Sequence, residues 1–197
     1  MRFIVTVIAT LSALGVAPAP AQFGNPGGLD PGTRESAPGV PIPGQTNVPD
    51  RLFTTLAAQG GMAEVALAKL AQQKSRTDAV TAFAKRMIDD HGKSNAQLAE
   101  LAKQAGLPLP TEPALEQREM NQRLSTLNQA DFDAEYMRAQ VTDHQKMIQL
   151  LLWVIASGEN ADLQRFASRA LPDVLHHLQL AQNLVSQLTG AAAPSTN

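Results

Sequence analysis

Apolar residues recur at helical spacing through the folded part of the chain, and the segment from Phe132 to Leu152 shows the pattern best. One face of a helix there would carry Met137, Val141, Ile148, Leu151 and Ile155. His144 falls on the same stripe, where the pattern calls for Leu or Val. The segment is therefore predicted to be a helix that turns one imidazole toward the protein interior.

Three other segments show the same spacing, which gives four predicted helices. Each start is marked by residues typical of helix N-termini. The predicted starts are Asp50, a site near Arg76 after the capping pair Ser75 and Asp78, a site near Asp131, and the cap Asn160. A short helix is expected to open at Thr111 in the long connection, and Pro172 is expected to kink the fourth helix.

The lengths of the connections indicate how these helices are arranged. The links between the first and second helices and between the third and fourth are very short, so each pair is predicted to be an antiparallel hairpin. The link from Leu107 to Ala130 has 24 residues, enough to run back along a bundle. We therefore predict an all-α fold, a ferritin-like four-helix bundle with one long crossover. Plain up-and-down topology is the alternative.

Each predicted helix carries one polar residue in its apolar stripe. These are Glu64, His91, His144 and His177. Counted from the helix ends, their depths in the bundle agree to within five residues, or about 7 Å of helix. All four are expected to point into one layer in the middle of the bundle.

Two interpretations of this layer stay open. Three imidazoles and a carboxylate suit a single Zn, Cu, Fe or Mn ion. The alternative is a polar core layer held by hydrogen bonds, which would fix helix register in a structural or protein-interaction module. Asp90 and Asp143 each precede a layer histidine and are candidates to support one from outside, across a helix interface.

The chain ends have a different composition from the helices. Arg2, an apolar run to Val16 and the small residues Ala19 and Ala21 predict a signal peptide over residues 1–21. Residues 22–49, with six Pro and six Gly, are predicted to be a disordered linker. The bundle is expected to occupy residues 50–190, followed by a flexible tail over 191–197. This order predicts an exported protein, in the periplasm, with no transmembrane span after cleavage.

Composition narrows the choice of chemistry. A net charge of −2 argues against a nucleic-acid partner, and the absence of Cys removes disulfides and thiolate ligands. No nucleophile–base pair, phosphate-binding loop or acid–base dyad is present, so no catalytic residues are predicted and an enzyme is the weakest interpretation. Expected partners are an envelope protein or a second copy of the chain.

Four sequence blocks resemble a known family: GGMAEVALAKLA, FAKRMIDDH, FDAEYMRAQVTDHQKMI and ALPDVLHHLQLA. They are similar to a bacterial ferritin-like domain of unknown function found in exported proteins. The resemblance implies a ferritin-like fold, an envelope location and no established activity. Its recurrent positions are Glu64, Asp90, His91, Tyr136, His144 and His177, which adds Tyr136 to Asp90 and Asp143 as a predicted supporting residue. The chain departs from the di-iron pattern Glu-x-x-His, since the residues three before the layer histidines are Ile88, Val141 and Val174.

Overall fold

The structure, a computed structural model, describes residues 45–190. This region forms five α-helices and no β-strand, which confirms the all-α prediction. The helices are α1 (Val48–Lys74), α2 (Asp78–Gln104), α3 (Leu115–Ser125), α4 (Gln129–Ser157) and α5 (Ala161–Gly190). The predicted signal peptide, linker residues 22–44 and the predicted tail lie outside the described residues. Between residues 45 and 190, no helix has both the length and the apolarity needed to cross a membrane.

The first helix begins earlier than predicted. Asn47, and not Asp50, is its N-cap: the Asn47 side chain accepts the Asp50 N–H at 3.0 Å. The Asp50 carboxylate accepts the Asn47 N–H at 2.9 Å in return, so the two residues form a reciprocal capping pair. The second helix begins later than predicted, at Asp78, because Ser75 ends α1 and Thr77 occupies the cap position.

The other helix boundaries also test the sequence. The Asn160 side chain caps α5 as predicted, accepting the N–H groups of Asp162 and Leu163 at 3.0 Å each. The same helix continues through Pro172 to Gly190 as a single element. The helix in the long connection begins at Leu115, four residues after the predicted start.

The helices pack as two hairpins. Helix α1 packs against α2 and α4 against α5, and the hairpins meet through contacts of α1 with α4 and of α2 with α5. Helix α3 contacts both α1 and α4. Thr77, at the start of α2, donates a hydrogen bond to Asp133, in the first turns of α4, at 2.6 Å. The connection between α2 and α4 therefore returns the chain to the end of the helical bundle where α2 began.

The apolar core is divided into two parts along the bundle. One part, which includes Phe83, Phe132 and Tyr136, lies toward the end where α2 and α4 begin. The other, which includes Phe53 and Leu163, lies toward the end where α1 and α5 begin. In sequence, the four polar residues of the predicted layer fall between the residues of these two clusters on every long helix. The bundle thus has a polar layer between two apolar halves.

Two adjacent glycines of α1 allow close packing around this layer. A Cβ atom on Gly61 would lie 1.9 Å from the side-chain oxygen of Asn95 on α2, so any larger residue would displace that side chain. A Cβ atom on Gly60 would lie 3.2 Å from the terminal methyl carbon of Met147 on α4. The Gly60–Gly61 pair therefore lies where α1 approaches its neighbours closely.

Candidate metal centre

Three histidines from three different helices meet in the polar layer. His91 belongs to α2, His144 to α4 and His177 to α5. Each histidine lies on the apolar face of its helix, so the packing that buries this face also buries the imidazole. Their exposed fractions are 8%, 1% and 3%, which places all three rings inside the bundle.

The three rings form a nearly equilateral triangle. Ring centroids are separated by 5.6 Å for His91 and His144, 5.7 Å for His91 and His177, and 5.5 Å for His144 and His177. One ring nitrogen from each residue lies within 4.8 Å of the other two. A single ion at the centre of this triangle could contact all three.

Hydrogen bonds to neighbouring groups orient two of the three rings. The His144 Nδ1 lies 2.8 Å from the backbone carbonyl oxygen of Gln140. The His177 Nε2 lies 3.1 Å from a carboxylate oxygen of Asp90 on the neighbouring helix α2. Because both partners can only accept, each of these nitrogens carries the proton in a neutral ring. The lone pairs are therefore left on His144 Nε2 and His177 Nδ1.

These lone pairs have no hydrogen-bond partner within residues 45–190. The same is true of His91 Nε2, and all three nitrogens are fully buried. Buried polar atoms are nearly always paired with protein or ordered water, so three unpaired nitrogens in one layer need an explanation. A bound cation satisfies all three at once.

Burial keeps the imidazoles neutral. It lowers the pKa of His91 to about 3 and that of His144 to about 4, with the neighbouring histidines adding to the effect at His91. Burial also lowers the pKa of His177, although the hydrogen bond to Asp90 opposes it. Neutral imidazole is the form that binds metal ions, and the three rings are in that form near neutral pH.

Glu64, the fourth predicted ligand, lies beside the triangle and not on it. Its carboxyl accepts a hydrogen bond from the Gln140 amide at 2.6 Å, and its other oxygen is 4.0 Å from His144 Nδ1. That nitrogen faces away from the unpaired one, so Glu64 is behind the His144 ring. Burial raises the pKa of Glu64 to about 8, and the nearby negative charge of Asp143 contributes.

The three predicted supporting residues have different places. Asp90 orients His177 through its hydrogen bond to the ring. Asp143 is near Glu64, makes an ion pair with Lys146 at 4.0 Å, and has its own pKa raised by burial. The Tyr136 hydroxyl makes no hydrogen bond within the part of the chain that the structure describes, and its ring packs on Phe132 and Phe83.

Sequence reasoning missed Gln140, which is fully buried and links Glu64 to the turn of helix that carries His144. A signal was available: Gln140 lies four residues before His144, so it falls on the same stripe and interrupts it a second time. His176, adjacent to His177, is exposed and outside the layer.

A cavity of about 680 Å³ reaches this layer from the side of the bundle covered by α3. Its walls come from α1, α3 and α4, and the buried residues Glu64, His91 and His144 are among those that line it. The cavity therefore adjoins the histidine layer on one face of the protein.

Residues 35–184 match the family model described as "Domain of unknown function (DUF4142)". The chain belongs to the DUF4142 family. This DUF4142 chain is also similar to a crystal structure of a DUF305 fragment from Deinococcus radiodurans, with a TM-score of 0.65 and 15% sequence identity. The similarity covers 74% of this chain and 99% of that fragment, and at this identity it concerns the helical fold. No protein of curated function matches the sequence.

Proposed function

We propose that this DUF4142 domain binds one divalent transition-metal ion through His91 Nε2, His144 Nε2 and His177 Nδ1. The observation that carries the proposal is the set of three buried, unpaired ring nitrogens on rings that offer ligand atoms within 4.8 Å of one another. Imidazole suits Zn, Cu, Fe and Ni, and neutral rings need no proton release before they bind.

Zinc is a suitable first test ion. With zinc–nitrogen bonds of about 2.0–2.1 Å, tetrahedral ligands would be about 3.3 Å apart. Small side-chain movements would bring the three ring nitrogens closer together around the ion. The hydrogen bonds to the Gln140 carbonyl and the Asp90 carboxylate would hold two rings in the required tautomer and orientation.

Glu64 and its amide partner would adjust the charge of the site. A nearby cation favours the ionised form of a carboxyl group, so metal binding would convert Glu64 from its neutral to its anionic form. Glu64 would then balance part of the ion's charge without coordinating it directly in the arrangement seen here. Iron storage chemistry is not part of the proposal, since a second carboxylate-rich site is not predicted.

The test is metal titration of the full-length mature protein with Zn, Cu, Fe and Mn, followed by calorimetry and thermal unfolding. At a free concentration 100 times Kd, a metal bound to the folded state alone adds about 2.7 kcal/mol to the free energy of unfolding. His144→Leu is expected to abolish tight binding. His176→Leu is the matched control, because it removes an exposed imidazole next to the site.

The alternative function is a structural or protein-interaction module whose polar layer fixes helix register. The Gln140 amide favours it, because it bridges Glu64 to the helical turn below His144 and forms part of a buried network. In that case no metal would stabilise the wild type, and His144→Leu would raise the stability of the metal-free protein. This outcome would reject the metal proposal.

We further propose that the domain has a ferritin-like four-helix arrangement and acts in the periplasm. The hairpin packing and the returning connection support the first part. For location, the support is the sequence pattern of residues 1–21 as a signal peptide and 22–49 as a tether to the domain at 50–190. The intact mass of protein purified from the native host is expected to match a chain that begins at Gln22. A mass that includes residues 1–21 would contradict export.

A further inference from the structure

The cavity beside the histidine layer has a mostly apolar lining that also includes polar residues. Apolar side chains from α1, α3 and α4 form most of the wall, among them Leu56, Leu67, Met120, Met147, Leu150 and Trp153. The polar residues of the lining include the buried Glu64, His91 and His144 as well as charged residues of α3 and α4. Its volume of about 680 Å³ is in the range of small-molecule sites, which are largely apolar with a few placed polar groups.

We propose that this cavity binds an amphiphilic small molecule whose oxygen-donor head group coordinates the metal and whose apolar tail lies between α1, α3 and α4. The inference rests on the proposed metal site. It adds the class of molecule that the site receives.

The head group is indicated by the number of protein ligands. Three histidines leave the fourth position of a tetrahedral zinc ion open, as in sites where zinc meets a water or a substrate. Two of these histidines, His91 and His144, also line the cavity, so the cavity adjoins the proposed site.

The charged residues around the cavity do not select a highly charged ligand. Arg123 and Arg138 both contact Glu135, at 3.6 and 2.6 Å. Lys146 lies 3.7 Å from Glu116 and 4.0 Å from Asp143. Positive groups that are already paired offer little to a phosphate-rich molecule such as a nucleotide. Apolar contact is thus the main source of affinity for the tail.

The space for the tail depends on Gly60. Its position faces Met147 of α4, and a Cβ atom there would already be in tight contact with the Met147 methyl group. A larger side chain at residue 60 would extend into the cavity, which it lines. A larger residue in place of Gly60 would therefore fill part of the cavity without changing a proposed metal ligand.

The test is a series of alkyl hydroxamates, from two to eight carbons, titrated into zinc-loaded mature protein. Each buried CH2 group contributes about 0.8 kcal/mol, so affinity is expected to rise about fourfold per carbon until the cavity is filled. The same series on zinc-free protein should show weaker binding with a similar dependence on length. Affinity that does not change with tail length would overturn the inference.

Two pairs of variants locate the tail. Leu56→Glu, at the cavity, should weaken octanohydroxamate at least tenfold, whereas Leu175→Glu on α5 should not, although both leucines are 48% exposed. Gly60→Leu should also weaken it, while Gly92→Leu should not, because a Cβ atom on Gly92 would meet nothing within 4 Å. Equal effects within either pair would overturn the inference.

Zinc binding by each variant is measured separately by calorimetry. Unchanged zinc affinity in Gly60→Leu shows that the bundle and the metal site are intact, so a lost tail effect then belongs to the cavity. If the wild type binds zinc but not hydroxamate, the proposed metal site stands and this inference fails. If it does not bind zinc, the proposed function fails, and with it the coordination of the head group.

Discussion

Two of the levels at which the bundle buries polar side chains are built differently. At the end where α1 begins, Asn47, Asp50 and Asn160 form an end layer, with exposed fractions of 5%, 0% and 2%. In the middle, His91, His144 and His177 form the histidine layer. Both layers join the two helical hairpins, and both would cost free energy if their polar groups stayed unsatisfied.

The end layer is paired mainly within the chain itself, although the second carboxylate oxygen of Asp50 is buried with no hydrogen-bond partner in residues 45–190. One carboxylate oxygen of Asp50 accepts the N–H groups of Asn47, Glu159 and Asn160 at 2.9, 3.0 and 3.1 Å. The Asn47 amide donates to the Ser157 carbonyl at 2.8 Å. Here the polar side chains complete a turn between α4 and α5. In the histidine layer, by contrast, one buried ring nitrogen of each imidazole has no hydrogen-bond partner in residues 45–190. The end layer therefore closes a turn between two helices, whereas the histidine layer leaves three nitrogens that a ligand could use.

The largest effect is expected from truncating the end layer. Asp50→Ala leaves three N–H groups without their acceptor, so the free energy of unfolding should fall by about 3–5 kcal/mol. His177→Leu in metal-free protein should change it little or raise it, since an apolar side chain replaces an unsatisfied one. Urea unfolding of both variants measures the difference. Equal losses would remove the distinction between the layers.

Acid should destabilise the histidine layer of the metal-free protein. His91 and His144 titrate with pKa values near 3 and 4 in the folded state but near 6.5 when unfolded, so between these values only the unfolded chain takes up their protons. Stability is therefore lost as pH falls below 6.5. Glu64 acts in the opposite direction, since its pKa of about 8 lets the folded state hold a proton.

Together, the titration of His91, His144 and Glu64 is expected to lower the free energy of unfolding by about 2–3 kcal/mol between pH 6.5 and pH 4.5. Other carboxylates titrate in this range too, so the useful quantity is the difference from a His91→Leu, His144→Leu double variant. The double variant should be less sensitive to acid than the wild type. Parallel pH profiles would show that the two imidazoles are not buried in the folded protein.

A smaller effect is expected at the glycine next to the end layer. A Cβ atom on Gly158 would lie 2.6 Å from a carboxylate oxygen of Asp50 and 2.7 Å from the Val154 carbonyl oxygen. Gly158→Ala should therefore lower the free energy of unfolding by about 1–3 kcal/mol. Gly92→Ala is the control: nothing lies within 4 Å there, and alanine in a helix should add about 0.5–1 kcal/mol. Thermal unfolding distinguishes the two signs.

The smallest effect is expected at Tyr136. Its buried hydroxyl lacks a hydrogen-bond partner among residues 45–190, as the layer nitrogens do, but it lies within the apolar half of the core. Tyr136→Phe should change stability by less than about 1 kcal/mol and leave zinc affinity unchanged. A loss of zinc affinity would extend the metal centre to the tyrosine.

The sequence is most informative where one helix can be considered alone. Interrupted stripes place His91, His144 and His177 on inward faces, because burial of a helix face follows directly from spacing. The cap at Asn160 is likewise a local feature. The all-α class follows from the same periodicity.

Features that depend on distant residues are harder to predict. Local spacing predicts an N-cap at Asp50, yet its carboxylate is shared with a turn 110 residues away, a contact that no local pattern contains. The position of Glu64 behind His144 depends on the rotation of α1 against α4. The cavity depends on how α3 covers these two helices. Local spacing determines none of these.

The histidine triangle also has a consequence for the order of folding. His91 belongs to the first hairpin, whereas His144 and His177 belong to the second, so the triangle exists only after the hairpins have docked. Each hairpin is made of neighbours in sequence and can form early, while docking joins segments about 50 to 90 residues apart. An ion bound only to the docked hairpins would slow unfolding and leave the folding rate nearly unchanged. A metal centre at this position would thus stabilise the assembled protein without directing its assembly.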